Sequence, residues 1–359
     1  MAITAKQGGG RQYPALDSMR MVAAVLVITV HTQPLSSINP LADTILTGII
    51  ARLAVPFFFM CSGYFFVKGL PQNAQNGNHE RFAKLLQFTK KTAGLYGLCI
   101  LIYLPLNVYM GDFANPSLTD ILRRLFLDGS VYTLWYLPAV LLGMWVVYGL
   151  YFKLGKKAGV VVAVLLYAVA LGGDSYFGIV KSAKPLATLY GELLKVLAFT
   201  RNGLFMAPLF IMLGFLLAKK PALTSKTWAN NRAAFVVCFC ALLAEGILLE
   251  LFSTPRHNSM YVFLPMASWF LFRLLAMPAA KGYPGWRNLS MWVYILHLWA
   301  IVLVRGVAKI PGLAVLVQNS VLFFVAVCML TLPLCMGAMW LQKQITTIRH
   351  RPKIYTHNK

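Results

Sequence analysis

Long apolar runs, separated by short polar or basic connections, recur along the chain from Ala15 to Leu341. A helix needs about 20 mostly apolar residues to cross the hydrocarbon core of a bilayer. In lipid, the helix is also the local structure that pairs all its backbone groups within one segment. On this pattern ten spans fall near 15–35, 43–67, 92–110, 131–152, 158–173, 201–218, 233–252, 258–278, 289–308 and 319–341, the fifth being short. The expected fold class is therefore all-α, a polytopic integral membrane protein of about ten transmembrane helices. Two connections are long enough to carry structure. The stretch 68–91 is polar from Asn73 to Gly77 and then basic, whereas 174–200 contains Leu186–Phe199, whose apolar spacing around Glu192 and Lys195 suggests a helix lying in the interface. There is no internal repeat and no inverted pair of Gly/Pro-broken spans of the kind many transporters carry.

Composition and charge sharpen the pattern. The 359 residues are 59% hydrophobic and 12% charged, against about 25% charged in a soluble domain. The net charge of +23 invites a nucleic-acid reading, but the basic residues sit in short connections, where the positive-inside bias already accounts for them. With the N-terminus inside, the inner segments hold 21 Lys and Arg and the outer segments eight. Both termini are then cytoplasmic, and segments 1–14 and 342–359 flank a membrane domain over 15–341. Met1–Tyr13 is polar, and no signal peptide is expected. The six cysteines lie in or against apolar segments without metal-ligand spacing, so no metal site is expected.

Four arginines, Arg20, Arg52, Arg273 and Arg305, fall inside spans. An ionisable group at bilayer depth costs at least about 2.5 kcal/mol and so faces protein or water. The first span carries Asp17, Arg20 and His31. At about 100° per residue, positions 20 and 31 differ by roughly 20°, and position 17 lies about 40° to the other side of His31, so the three share one stripe. Asp17 at i−3 can hold Arg20, and His31 is suited to accepting and returning a proton. The plainer alternative makes Asp17 and Arg20 an interfacial anchor, with His31 ending the span. His297 is either a satisfied core histidine or part of a site. Arg52, one turn before Pro56, serves either structural pairing or substrate contact. Glu245 is expected to pair with an arginine, with a proton-relaying carboxyl as the alternative, and Arg305 to snorkel toward headgroups. Ser62-Gly63 reads as a close helix-packing site.

Leu16-Asp-Ser-Met-Arg20, followed by ten residues and His31, resembles the Arg-x10-His signature of the acyltransferase 3 family. Val55-Pro-Phe-Phe-Phe-Met-Cys-Ser62-Gly63-Tyr64, Leu134-Trp135-Tyr136-Leu137 and Tyr294-Ile-Leu-His297 resemble further segments of that family. In detail the chain is most similar to the membrane half of vancomycin-type serine racemases, through Thr200-Arg-Asn-Gly203, Asn258-Ser-Met-Tyr261 and Tyr294–His297. Those proteins continue into a pyridoxal-phosphate domain; the sequence here stops at Lys359, so no racemase activity is expected to carry over. The resemblance implies a multispanning enzyme of the bacterial inner (plasma) membrane. It would move an acyl group, typically acetyl, from cytoplasmic acyl-CoA to a hydroxyl of an envelope carbohydrate. Acyl-CoA (acetyl-CoA) would be a donor substrate, with no permanently bound cofactor. Arg20 and His31 carry over as the essential pair, and Trp135 and His297 as signature residues. Arg20 suits the phosphates or the thioester oxygen. Arg81, Lys84, Lys90 and Lys91 would either hold the nucleotide end or form a plain positive-inside loop. The rival class is a transporter-like module for a small polar molecule such as serine, and a third is a non-catalytic membrane partner.

Overall fold

In a computed structural model the described residues are 12–70, 77–111, 117–252, 255–279 and 284–349. Lys6, Arg11, the stretch around Asn73, Lys281 and the tail beyond Arg349 lie outside them. Among the described residues all regular structure is helical, apart from an isolated antiparallel bridge between Gln12 and Ala279. The principal helices are α1 (Pro14–Thr32), α2 (Ala54–Lys68), α3 (Asn78–Tyr109), α4 (Tyr136–Phe152), α5 (Lys156–Gly172), α6 (Lys184–Val196), α7 (Ala207–Ala218), α8 (Ser225–Phe252), α9 (Leu264–Leu275), α10 (Pro284–Val307) and α11 (Ser320–Arg349).

Each expected span contains one of these helices, and α6 occupies the connection 174–200. Among the described residues six segments are long and apolar enough to cross a membrane: α1, the stretch Pro40–Lys68 that ends in α2, α3, α8, α10 and α11. Helices α4, α7 and α9 are apolar but shorter. Twelve residues, as in α7 and α9, cover about 18 Å, against about 30 Å of hydrocarbon. The sequence draws 131–152, 201–218 and 258–278 as continuous helices, whereas 131–135, 201–206 and 258–263 are turns and irregular chain. Pro138, Pro208 and Pro265 stand in the three first turns; a proline there has no N–H to extend the helix backwards and so fixes its start. The second span is also broken, with a π turn over Thr44–Ile49 and a 3-10 turn over Ile50–Leu53 before α2.

The opposite correction applies to 77–91. Read as a loop, this stretch is the start of the 32-residue α3. From Lys91 to Tyr109 the helix runs about 27 Å, close to one hydrocarbon thickness, so its charged turns extend the same helix beyond the apolar run.

The chain divides into two compact units, Met1–Pro40 with Pro278–Lys359, and Leu41–Met277. In the first, α1, α10 and α11 pack on one another. Gln12 and Ala279 exchange backbone hydrogen bonds at 3.3 and 2.9 Å, and the Ser320 hydroxyl donates to the Pro34 carbonyl at 2.7 Å. In the second, α2 and α7 cross at Gly63 and Gly214. A Cβ at Gly63 would run into the Ile211 carbonyl, and one at Gly214 into the Met60 carbonyl, which bears out Ser62-Gly63 as a packing site. Helices α8 and α11 present apolar surface outward, with Val237 and Met329 each 68% exposed, as lipid-facing helices do.

Candidate functional site

Helix α1 begins with Pro14 in its first turn, where a missing N–H costs nothing. It ends at Gln33, whose left-handed backbone (φ 49°) sends an N–H back to the Thr29 carbonyl. The helix is continuous between these points, so the stripe read from sequence is real. Arg20 is buried and its guanidinium pairs with the Asp17 carboxylate one turn earlier. His31 stands in the last turn, about 16 Å along the axis from Arg20.

His297 lies within α10 and is 0% exposed. Its ring stacks on that of His31, with centroids 5.4 Å apart and planes at 23°. Its Nδ1 lies 3.1 Å from the Val293 carbonyl and 2.8 Å from that of Tyr294. Carbonyls accept, so Nδ1 carries the proton and Nε2 is left as a bare acceptor; the tautomer is assigned from this hydrogen bonding. Nε2 is buried and has no hydrogen-bond partner among the described residues. The first unit thus brings together Asp17 with Arg20, and His31 with His297.

Arg52, Trp135 and Glu245 belong to the second unit, where polar groups gather on the irregular segments. The expected pairing of Glu245 with an arginine is not found among the described residues. Its carboxylate accepts the Val262 and Phe263 N–H groups at 2.5 and 2.9 Å and the Tyr176 hydroxyl at 2.6 Å. These donors arise because the chain before α9 is not helical, a feature invisible when 258–278 is drawn as one span. Arg52, in the 3-10 turn, has electrostatic partners in Tyr261 and Asp174, while its Nε has no hydrogen-bond partner.

Sequence reasoning missed Asp174, Arg201, Ser259 and His257. The buried Asp174 carboxylate accepts the Ser259 and Met260 N–H groups at 2.7 and 3.1 Å and the Ser175 hydroxyl at 3.0 Å. Burial raises its pKa, and the Ser259 N–H works against that rise. Two of the tetrapeptides singled out in the sequence, Thr200–Gly203 and Asn258–Tyr261, meet here. Thr200 donates to the Ala170 carbonyl, Asn202 caps Leu204 and Phe205, and Arg201 donates to the Ser259 hydroxyl at 3.2 Å. Tyr261 donates to the Gly48 carbonyl at 2.6 Å, while the Tyr167 hydroxyl joins its N–H and carbonyl. The tetrapeptides were the available signal. Around them the field is positive: burial first, then Arg201, Arg256 and Arg52, push His257 down to about 4.

The basic turns of α3 are exposed or half-buried. Arg81 lies over the Phe152 ring at 5.0 Å. Arg81, Lys84 and Lys91 fall within about 80° around the axis, and Lys90 faces away from them. Arg305, expected to snorkel, lies over the Phe323 ring at 5.5 Å. Among the described residues no group of acidic, His and Cys side chains has metal-binding geometry.

An all-helical chain with several membrane-length apolar helices and a stacked histidine pair, one ring of it fully buried, belongs to the class of helical membrane proteins that place ionisable groups within their spans. The acyltransferase domain model matches residues 13–340, and the chain belongs to that family. It is 36% identical over 319 residues to an amino-acid racemase of Enterococcus faecalis, covering 88% of this chain and 43% of the relative. It is 32% identical over 340 residues to a serine/alanine racemase of Enterococcus gallinarum, covering 94% and 47%. The chain thus spans a little under half the length of these relatives. No solved structure matches it.

Proposed function

We propose that the protein is a plasma-membrane acyltransferase that takes an acyl group from a cytoplasmic acyl-CoA, acetyl-CoA first among them. The acceptor is a hydroxyl on the outer side, as on an envelope carbohydrate. The observation that carries the reading is the stack of His31 on His297 within a chain of the acyltransferase family. His31 takes the proton of the acceptor hydroxyl as its oxygen attacks the thioester carbonyl; the C–O bond forms, the C–S bond breaks, and the proton passes to the departing thiolate. His297, its Nδ1–H committed to backbone carbonyls, is a neutral ring that holds the His31 imidazole in place. Arg20, held by Asp17, presents its guanidinium to the thioester oxygen or to coenzyme A phosphate. Arg81, Lys84 and Lys91 receive the nucleotide end, and Lys90, on the far side of the helix, serves the general positive field. Ten spans with both ends inside, supported by the 21-to-8 distribution of Lys and Arg, would put these basic turns on the donor side.

Calorimetry with coenzyme A and turnover of acetyl-CoA by the detergent-purified protein test this reading. Arg20→Ala should lose affinity, and Arg20→Lys should recover little of it because a point charge does not replace a planar fork. His31→Ala should bind coenzyme A normally and turn nothing over. Absence of thioester binding in wild type, with saturable serine uptake in vesicles, would instead favour an amino-acid-handling module. The names of the two racemase relatives support that second reading.

A further inference from the structure

The stretches 123–135 and 198–201 line a cavity of about 270 Å³ in the second unit, with Arg123, Asp128, Trp135, Phe199 and Arg201 on its walls. The Arg201 guanidinium lies 4.5 Å from the Phe199 ring centroid and 5.8 Å from that of Trp135. Of the five N–H donors of a guanidinium, one is used among the described residues, by the Ser259 hydroxyl. Asp174 and Asp128 act on it electrostatically, but among the described residues neither forms an ion pair or hydrogen bond with it. Asp128 on the rim is taken by Arg123 at 3.0 Å, and Asp174 is occupied by the Ser259 and Met260 N–H groups. Arg52 and Arg256 add positive charge, and each has a buried N–H without a hydrogen-bond partner among the described residues. A guanidinium held out of water with most of its donors unmade is costly unless an anion completes it.

We propose that this cavity binds a small carboxylate with a flat or apolar body, its two oxygens on the free edge of Arg201 and its body against Trp135 and Phe199. Aromatic rings at the guanidinium face leave the edge as the open direction, and that edge matches a planar carboxylate in bidentate fashion. The second charge of a phosphoryl group would meet Asp128 on the rim. The volume is that of a metabolite pocket at the small end of the usual range. Binding at equilibrium needs no acyl donor, so this inference stands apart from the acyl-transfer reading.

Benzoate is the probe, titrated into the detergent-purified full chain by calorimetry and tryptophan fluorescence. Benzamide serves as the neutral isostere and phenylphosphonate as the dianion. Benzoate should saturate one site. Benzamide should bind at least about tenfold more weakly, and Arg201→Gln should lose about tenfold or more for benzoate. Ala198→Trp, which fills the cavity and leaves Arg201 in place, should abolish binding, and it decides the matter if Arg201→Gln fails to fold. His31→Ala should bind benzoate as wild type does, which separates failure here from failure of the catalytic reading. The proposal is overturned by no saturable benzoate binding in wild type, by equal binding of benzamide, by undiminished binding in a folded variant, or by tighter binding of phenylphosphonate.

Discussion

The two units place their polar groups on different kinds of backbone. In the first, Asp17, Arg20, His31 and His297 project from α1 and α10, which run as continuous helices through those positions. In the second, Arg52, Asp174, Arg201 and Ser259 stand on turns, a 3-10 segment and loops. A side chain on an intact helix is free to act on something other than its own fold. A side chain beside broken backbone is recruited to pair the N–H and carbonyl groups that the break exposes. Glu245 and Asp174 are so recruited. Arg201 is the exception, with one donor spent on Ser259.

The comparison is broken most directly by His31→Ala. If the first unit holds the chemistry, acyl turnover should fall about a hundred- to ten-thousand-fold, with an unchanged elution profile and thermal unfolding midpoint. Retained turnover would remove the helical stripe from the mechanism.

Next in size, Gly214→Leu should cost about 3 kcal/mol or more, because backbone and not a pliable side chain blocks the new atoms. Yield and unfolding temperature of the purified variant report it. A wild-type midpoint would mean that α2 and α7 do not meet this closely.

Glu245→Ala should leave the Val262 and Phe263 N–H groups unpaired, at about 1–3 kcal/mol. Its turnover per folded molecule should stay near wild type. A collapse of turnover at unchanged stability would make Glu245 a participant and not a support.

The smallest effect expected is one of pH. His257 has its pKa lowered from 6.5 to about 4, so the unfolded chain binds a proton there that the folded chain refuses. Stability contributed by this group is present above pH 6.5 and declines as pH falls toward 4. His257→Gln should flatten that part of the acid limb of a melting-temperature profile. An identical limb in the variant would place the sensitivity elsewhere.

Much of the helical pattern was legible because apolar runs of membrane length have few other uses, and the Asp17–Arg20–His31 stripe because α1 follows ideal helical spacing. The pairing of His31 with His297 was not legible, since no local rule relates positions so far apart in the chain. The broken starts of α4, α7 and α9 were missed because apolar residues such as Leu134, Phe205 and Val262 carry each run up to its helix. Pro138, Pro208 and Pro265 marked the starts, and Arg201-Asn-Gly203 and Asn258-Ser259 interrupted two of the runs. The error then spread: with no break before α9 there were no free N–H groups for Glu245 to receive, and an arginine looked like its natural partner.

The first unit is built from the two ends of the chain, with everything from Leu41 to Met277 made in between. During synthesis, α1 enters the bilayer long before α10 and α11 exist. A lone charge in it would cost at least about 2.5 kcal/mol throughout that interval. Asp17 and Arg20 meet this within the helix itself, since their pair spans three residues and needs no other segment. His31 has no such provision from His297, which the ribosome delivers long after α1. The stacked rings therefore form late: a nascent chain carries its ion pair from the start and gains its histidine pair only once α10 has followed α1.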